Sequence, residues 1–272
     1  MGSSIHTNMA SLVALQNLAM TNRALEETQG RVSSGLKIAN AKDDGAVYNI
    51  AQHMRSEHAA FEAVQNGLSR AKSMADVALA AGESISDTLS KMKEKALAAM
   101  DPSISATSRS AYATEFDALR TQISSLVSNA SYDGGNLLAG GSDVEFLANT
   151  TGTQTLTLPA LDLTPATLGI AGLTMTTAAE ATAARSAVET AINDVNLALA
   201  KMGVAAKRVE NHEIFVGKLQ DAITSGIGDM VDADLSVESA RLQALQVKQQ
   251  LGTQALSIAN QAPQSILSLF RN

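Results

Sequence analysis

Four histidines, His6, His53, His58 and His212, are the first candidates for metal or acid–base chemistry. His53-Met54-Arg55-Ser56-Glu57-His58 comes nearest to a zinc motif, but its imidazoles stand five residues apart. Zinc-binding helices set ligands at i and i+4 on one face, and a step of five turns the two side chains away from each other. They read as surface or seam histidines. Asp43-Asp44 is a pair of acids, yet adjacent helical residues diverge, and capping a helix start is the simpler role. Gly134-Gly135 and Gly140-Gly141 lack the Lys-Ser/Thr of a phosphate-binding loop and read as turns. Asn129-Ala130-Ser131 and Asn149-Thr150-Thr151 match the short N-glycosylation pattern, which arises often by chance. Ser and Thr are dense from 142 to 177 on an expected exposed insertion, a composition that suits modification, although turn formation and β propensity also account for it without any. There is no cysteine, hence no thiolate ligand, disulfide or cysteine nucleophile. No catalytic, cofactor-binding or metal-binding set is expected, so the chain is read as a non-enzyme.

The elements that carry these residues are long and helical. Prolines occur only at 102, 159, 165 and 263, leaving 1–101 and 166–262 free of helix breakers. Aromatic residues make up 3% of the chain and there is no Trp, so Ala, Leu, Val, Ile and Met must fill its interior, as suits narrow helix-to-helix seams. Leu15, Leu18, Asn22, Leu25, Gln29, Val32 and Leu36 alternate steps of three and four, predicting a first seam. Ser33-Ser34-Gly35 and Asn40 to Gly45 interrupt it with a joint, and a helix of roughly 55 residues follows on Leu68, Ala71, Ala75, Ala78, Gly82, Ile85, Leu89, Met92, Ala96 and Ala99. Tyr112, Phe116, Leu119, Ile123 and Leu126 mark a shorter helix.

From 133 to 177 glycines, prolines and the alternation Thr153-Gln154-Thr155-Leu156-Thr157-Leu158 predict short strands and turns. A further helix runs on Val188, Ile192, Val195, Leu199, Met202, Ala206, Val209, Glu213, Val216, Gln220, Ile223 and Ile227, with a break expected at Ser225-Gly226-Ile227-Gly228-Asp229. The last helix carries Val247, Leu251, Ala255, Ile258 and Ala262. Both terminal stripes are too thin to hold an isolated helix, and each requires another helix to cover it. The fold class is therefore mainly α: an elongated antiparallel helical bundle or coiled coil formed by the N- and C-terminal halves, with a small β-hairpin insertion.

The net charge of −7 and the scattered cations give no footprint for nucleic acid or anionic lipid. No stretch is long and apolar enough to span a bilayer, so no membrane insertion is expected. The opening MGSSIHTNMAS lacks the basic and apolar regions of a cleaved secretory signal, and His6 stands where a myristoylation pattern requires Ser or Thr. Export would need another route.

Thr7-Asn8, Ala14-Leu15-Gln16-Asn17-Leu18, Arg31-Val32-Ser33-Ser34-Gly35-Leu36-Lys37-Ile38 and Ala41-Lys42-Asp43-Asp44 at one end, with Ala233-Asp234, Gln249 to Ala255 and Ala259-Asn260-Gln261-Ala262-Pro263 to Leu269 at the other, resemble bacterial flagellin. Ser131-Tyr132-Asp133-Gly134-Gly135-Asn136-Leu137-Leu138 extends the resemblance between them, and the short middle is similar to the compact flagellins of alphaproteobacteria. The resemblance implies a secreted structural subunit that polymerises into the flagellar filament for motility, with a hook-filament junction protein as the alternative. It implies an N-terminal D0-type helix over 1–42, D1-type rod helices over 43–132, a β-rich outer insertion over 133–177, a D1-type rod helix over 178–226 and a D0-type helix over 227–272. Subunit assembly then falls to the apolar positions of the terminal helices: Leu12, Leu15, Leu18, Leu25, Val32 and Leu36 in the first, and Leu242, Leu245, Leu251, Ala255, Ile258, Leu267 and Leu269 in the last. The implied partners are further copies of the chain, other flagellins, the export apparatus, an export chaperone, and the filament cap and junction proteins.

Overall fold

In the computed structural model residues 8–269 are described, with side chains through residue 261. Five helices occur among them: α1 (Met9–Ser34), α2 (Gly45–Ala99), α3 (Ala106–Asn129), α4 (Ala178–Val231) and α5 (Leu235–Leu269). Between α3 and α4 lie β1 (Ser131–Tyr132), β2 (Gly135–Asn136), β3 (Val144–Leu147) and β4 (Thr155–Leu158).

Each helix start is set by a side chain placed to accept the free first-turn amides. Asn8 Oδ1 accepts from the Ser11 N–H at 3.2 Å, Ser105 Oγ from Ser108 at 3.1 Å, and Asp44 Oδ1 from Ala46 and Val47 at 3.0 and 3.1 Å. Asp234 Oδ1 does the same for α5, accepting from Ser236 and Val237 at 2.9 and 3.1 Å. Gly35 ends α1 at φ 73°, where its N–H closes on the Arg31 carbonyl. The ends of α2 and α3 are covered from outside. Arg109 donates to the Ala99 and Asp101 carbonyls at 2.9 and 3.0 Å, and the Asn136 amide to Val127 O at 2.7 Å.

The chain forms two compact units. Residues 57–221 make one, whose core is a single apolar cluster. All ten positions from Leu68 to Ala99 expected on the long helix are buried. The facing stripe of α4 contributes Val188, Val195, Met202, Val209 and Val216. The two helices run antiparallel, as shown by Ser69 against Glu213 at 2.7 Å and Lys93 against Glu189 at 3.1 Å. At Gly82 they approach so closely that any Cβ would meet Leu199. Phe116, Ile123 and Val127 of α3 join the cluster, as do Phe146 and Leu158 of the β3–β4 hairpin.

The insertion holds two hairpins where one was expected. β1 pairs antiparallel with β2, and β3 with β4 in the register Val144↔Leu158 to Leu147↔Thr155. Backbone bonds from Leu161 to Leu137 at 2.7 Å and from Leu163 to Leu138 at 2.9 Å tie the following segment back.

Residues 1–56 and 222–272 make the other unit. Here α1 and α5 lie antiparallel. Asn8 Nδ2 donates to Ala259 O at 2.7 Å, Gln249 Nε2 to Asn22 Oδ1 at 2.9 Å, and Arg31 meets Glu238 at 3.2 Å. The break expected at Ser225–Asp229 does not occur, because α4 continues to Val231 and the chain turns only at Asp232 to Asp234. An isolated glycine costs a helix about 1 kcal/mol, which neighbouring turns absorb, whereas Asp234 starts a new helix by capping it. The joint after α1 faces this turn. Lys37 and Ile38 N–H donate to Val231 O at 2.7 and 3.3 Å, and Ala233 N–H to Gly35 O at 2.9 Å.

Candidate assembly surface

The α1–α5 pair carries two kinds of apolar residue. Along the inside of α1 the covered positions are Ala14, Leu18, Thr21, Leu25, Thr28 and Val32, at steps of four and three. Their counterparts on α5 are Glu238, Leu242, Leu245, Gln249, Gly252 and Leu256. The seam is thus built from small and polar side chains with a few leucines. A Cβ on Gly252 would stand 3.1 Å from Leu18 Cδ1, so the absent side chain is what lets the helices approach here. At the joint end the Arg31 guanidinium bridges Glu27 at 2.6 Å and Glu238 at 3.2 Å, with Arg241 adding a contact to Glu238 at 3.4 Å. Leu36 lies half-buried beyond, paired by its backbone with Asp232.

Of the expected assembly residues, the structure brings together Leu18, Leu25, Val32, Leu242 and Leu245 on this inner seam. Leu15 and Gln29 were expected on it and lie outside, as do Val247, Leu251, Ala255 and Ile258 of the last helix. The reason is register: the covered stripe runs through Ala14, Leu18 and Leu25 on α1 and Gln249, Gly252 and Leu256 on α5, and Leu15 and Leu251 stand about 100° or more around the helix from it, on the outward side. Leu12 and Leu15 are 55% and 54% exposed, Leu251 58% and Ile258 66%. Leu267 and Leu269 lie outside the described side chains. Thr21, Thr28, Gln249 and Gly252 were missed, although their three-four spacing is present in the sequence once apolarity is not demanded.

His6 lies outside the described residues, and several of the other residues weighed for chemistry have structural partners. His58 Nδ1 lies 3.7 Å from Glu62, and the His212 Nε2 atom is 2.6 Å from Ala148 O. Asp43 accepts from the Ala39 and Asn40 amides at 3.0 and 3.1 Å, holding the joint. The Asn149 amide is taken up within its own turn, donating to Thr153 Oγ1 at 2.8 Å and accepting from Thr153 N–H at 3.1 Å. Asp162 and Glu180 are held below the usual carboxylate range by donors they collect. For Asp162 these are the Thr167 and Thr164 hydroxyls and the Thr164 amide, and for Glu180 the hydroxyl and amide of Thr176.

A narrow helical pair at the chain ends, with a covered inner seam and an exposed apolar outside, fits a self-associating structural protein. Comparison with known proteins gives the family. Residues 5–143 match the profile of the bacterial flagellin N-terminal helical region and residues 186–270 that of the C-terminal helical region. The chain is 47% identical to flagellin FljM of Caulobacter vibrioides, covering 99% of both chains, and 40% identical to a flagellin of Brucella melitensis, covering 99% of each. It belongs to the bacterial flagellin family and is a subunit of the extracellular flagellar filament, a structural polymer and not an enzyme. Among solved structures it resembles Bacillus cereus flagellin with a TM-score of 0.50 at 24% identity, over 55% of this chain and 87% of that one. A putative flagellar hook-associated protein of Vibrio parahaemolyticus gives 0.59 at 15% identity, over 70% and 100%. These two likenesses describe the fold alone. The junction-protein alternative is not favoured, because the full-length relatives of high identity are flagellins.

Proposed function

We propose that subunits join through the outer faces of the α1–α5 pair. Leu12, Leu15, Leu251, Ala255 and Ile258 contact neighbouring copies, and Leu267 and Leu269 are assigned to the same role. Leu18, Leu25, Val32, Leu242 and Leu245 hold the pair together, and Leu36 fixes the joint. The observation that supports this is the exposed apolar row beside a seam that is already filled. Water-exposed leucines and isoleucines in a row gain by burial against another copy. On this reading 1–42 and 227–272 are the D0-type helices, 43–132 and 178–226 the D1-type rod, and 133–177 the outer insertion. The chain travels unfolded through the flagellar export apparatus with an export chaperone, and meets the cap and junction proteins at the filament ends.

The test is seeded polymerisation of purified Leu251→Asp beside circular dichroism of the monomer. A charge buried without a partner is costly, so elongation should stop while helicity is retained. Elongation at the unmodified rate would show that this face does not carry the contact.

A further inference from the structure

We infer that the outer face of α4 docks lengthwise and antiparallel on the outer face of α2 in a second copy of this chain, a contact zipped by opposite charges. The inference rests on the filament-subunit reading and adds a contact made within residues 57–221.

Outside its buried seam α4 carries a second row at steps of four and three. Its cations are Lys201, Arg208 and Lys218, and its apolar members Leu197, Val204 and Phe215, with Asn211 between them. Every one is exposed; Leu197 is 58% accessible and Val204 66%. On α2 a row of the same spacing carries four exposed carboxylates, Asp76, Glu83, Asp87 and Glu94. Ala80 and Ser90 lie between them and the exposed Leu97 ends the row. Among the described residues none of these three cations and none of these four carboxylates has an ion-pair partner within the chain. Some other charged side chains of both helices are paired, as in Lys93–Glu189 and Lys207–Glu210, whereas Lys72, Lys91, Asp194 and Asp221 have no ion pair among the described residues.

The two rows fit each other. From Asp76 to Leu97 and from Leu197 to Lys218 the chain advances by the same 21 residues, about 30 Å of helix. Laid antiparallel, Leu97 meets Leu197, Glu94 meets Lys201, Asp87 meets Arg208 and Asp76 meets Lys218. Between them Ser90 faces Val204, Glu83 faces Asn211, and Ala80 leaves room for Phe215. A parallel arrangement also pairs the charges, but sets Leu197 against Ser73 and Leu97 against Ala222, so the contact between the two leucines is lost.

The occupant is a second copy because each chain carries both rows on the outside of one packed helix pair. The two rows are different surfaces, so each copy offers one face to the copy on one side and the other face to the copy on the other side. Such a heterologous contact need not close, and it grows an open polymer. Opposite potentials also fix the register and reject like-charged alignments.

The test is charge reversal and exchange. Wild type, Asp87→Lys, Arg208→Glu and the combined variant are each polymerised on seeds of their own kind, with circular dichroism confirming the monomer fold. Each single reversal sets like charges together and should slow elongation about tenfold. The combined variant restores opposite charges and should return to within about twofold of wild type. If wild type itself fails to elongate, the filament reading fails and the inference with it. If wild type elongates and the single variants match it, the inference falls alone. It falls equally if the combined variant stays as slow as the singles.

Discussion

Leu89 and Leu97 stand on the same helix and differ only in what surrounds them, so truncating each to Ala separates burial from helix chemistry. Leu89 is 0% exposed within the cluster that includes Ile85, Met92 and Val195, whereas Leu97 is 57% exposed. Leu89→Ala removes buried methyl groups and leaves a cavity that close-packed neighbours fill only partly, costing about 3 kcal/mol. Helix propensity works slightly the other way, since Ala is the better helix former by a few tenths of a kcal/mol. For a unit the size of residues 57–221 each kcal/mol lowers the midpoint by about 2–4 °C, so a fall of about 6–12 °C is expected. Leu97→Ala should move it by less than about 2 °C, the range of surface substitutions. Thermal unfolding of the dilute monomer, followed by calorimetry, measures both. Equal midpoints for the two variants would refute the placement of the core.

Gly252→Val should force α5 away from Leu18, costing about 1–3 kcal/mol by overpacking and reducing amide protection in α1, while residues 57–221 melt as before. Arg109→Lys removes the fork that joins the Ala99 and Asp101 carbonyls and should lower the melting point of the same unit by the equivalent of about 1–3 kcal/mol; an unchanged midpoint would show that the fork adds nothing. Acid should loosen the segment around Asp162 and Glu180. Both carboxyls are depressed when folded, so their contribution is present above their ordinary values of 3.8 and 4.5 and is lost as pH falls through the lower folded values. Amide exchange over 162–177 should therefore accelerate below about pH 4, and Asp162→Asn should flatten that dependence.

The rod seams were legible because Leu68 to Ala99 and Val188 to Val216 combine strong apolarity with unbroken three-four spacing, and nothing in tertiary packing competes with it. The terminal seam was harder. Leu18, Leu25 and Val32 were found because they are both large and covered, but ranking positions by apolarity selected Leu15 and Leu251 over Ala14 and Gly252. That ranking identifies what wishes to be buried, and on the proposed assembly some of those residues are buried by another molecule. The break at Gly226–Gly228 failed for a different reason: glycine weakens a helix, but a competing cap is needed to end one, and here it lies at Asp234. The second hairpin, β1–β2, is a two-residue turn at Asp133-Gly134, both with positive φ, and that pair was visible as a turn without its flanks reading as strands.

The crossed amides at Gly35, Lys37, Ile38, Val231 and Ala233 have a bearing on alignment. Sliding α5 along α1 by seven residues keeps the three-four spacing of the seam, although it sets Leu245 or Ala259 where Gly252 lies against Leu18. The backbone bonds between the joint and the turn do not repeat every seven residues. Sliding would break three of them at once and strand the Arg31–Glu238 bridge, so the terminal pair has a single origin from which its whole length is counted. On the proposed assembly the outward rows on α1 and α5 are therefore presented to a neighbour at one vernier setting, and every subunit arriving at a growing tip offers the same scale.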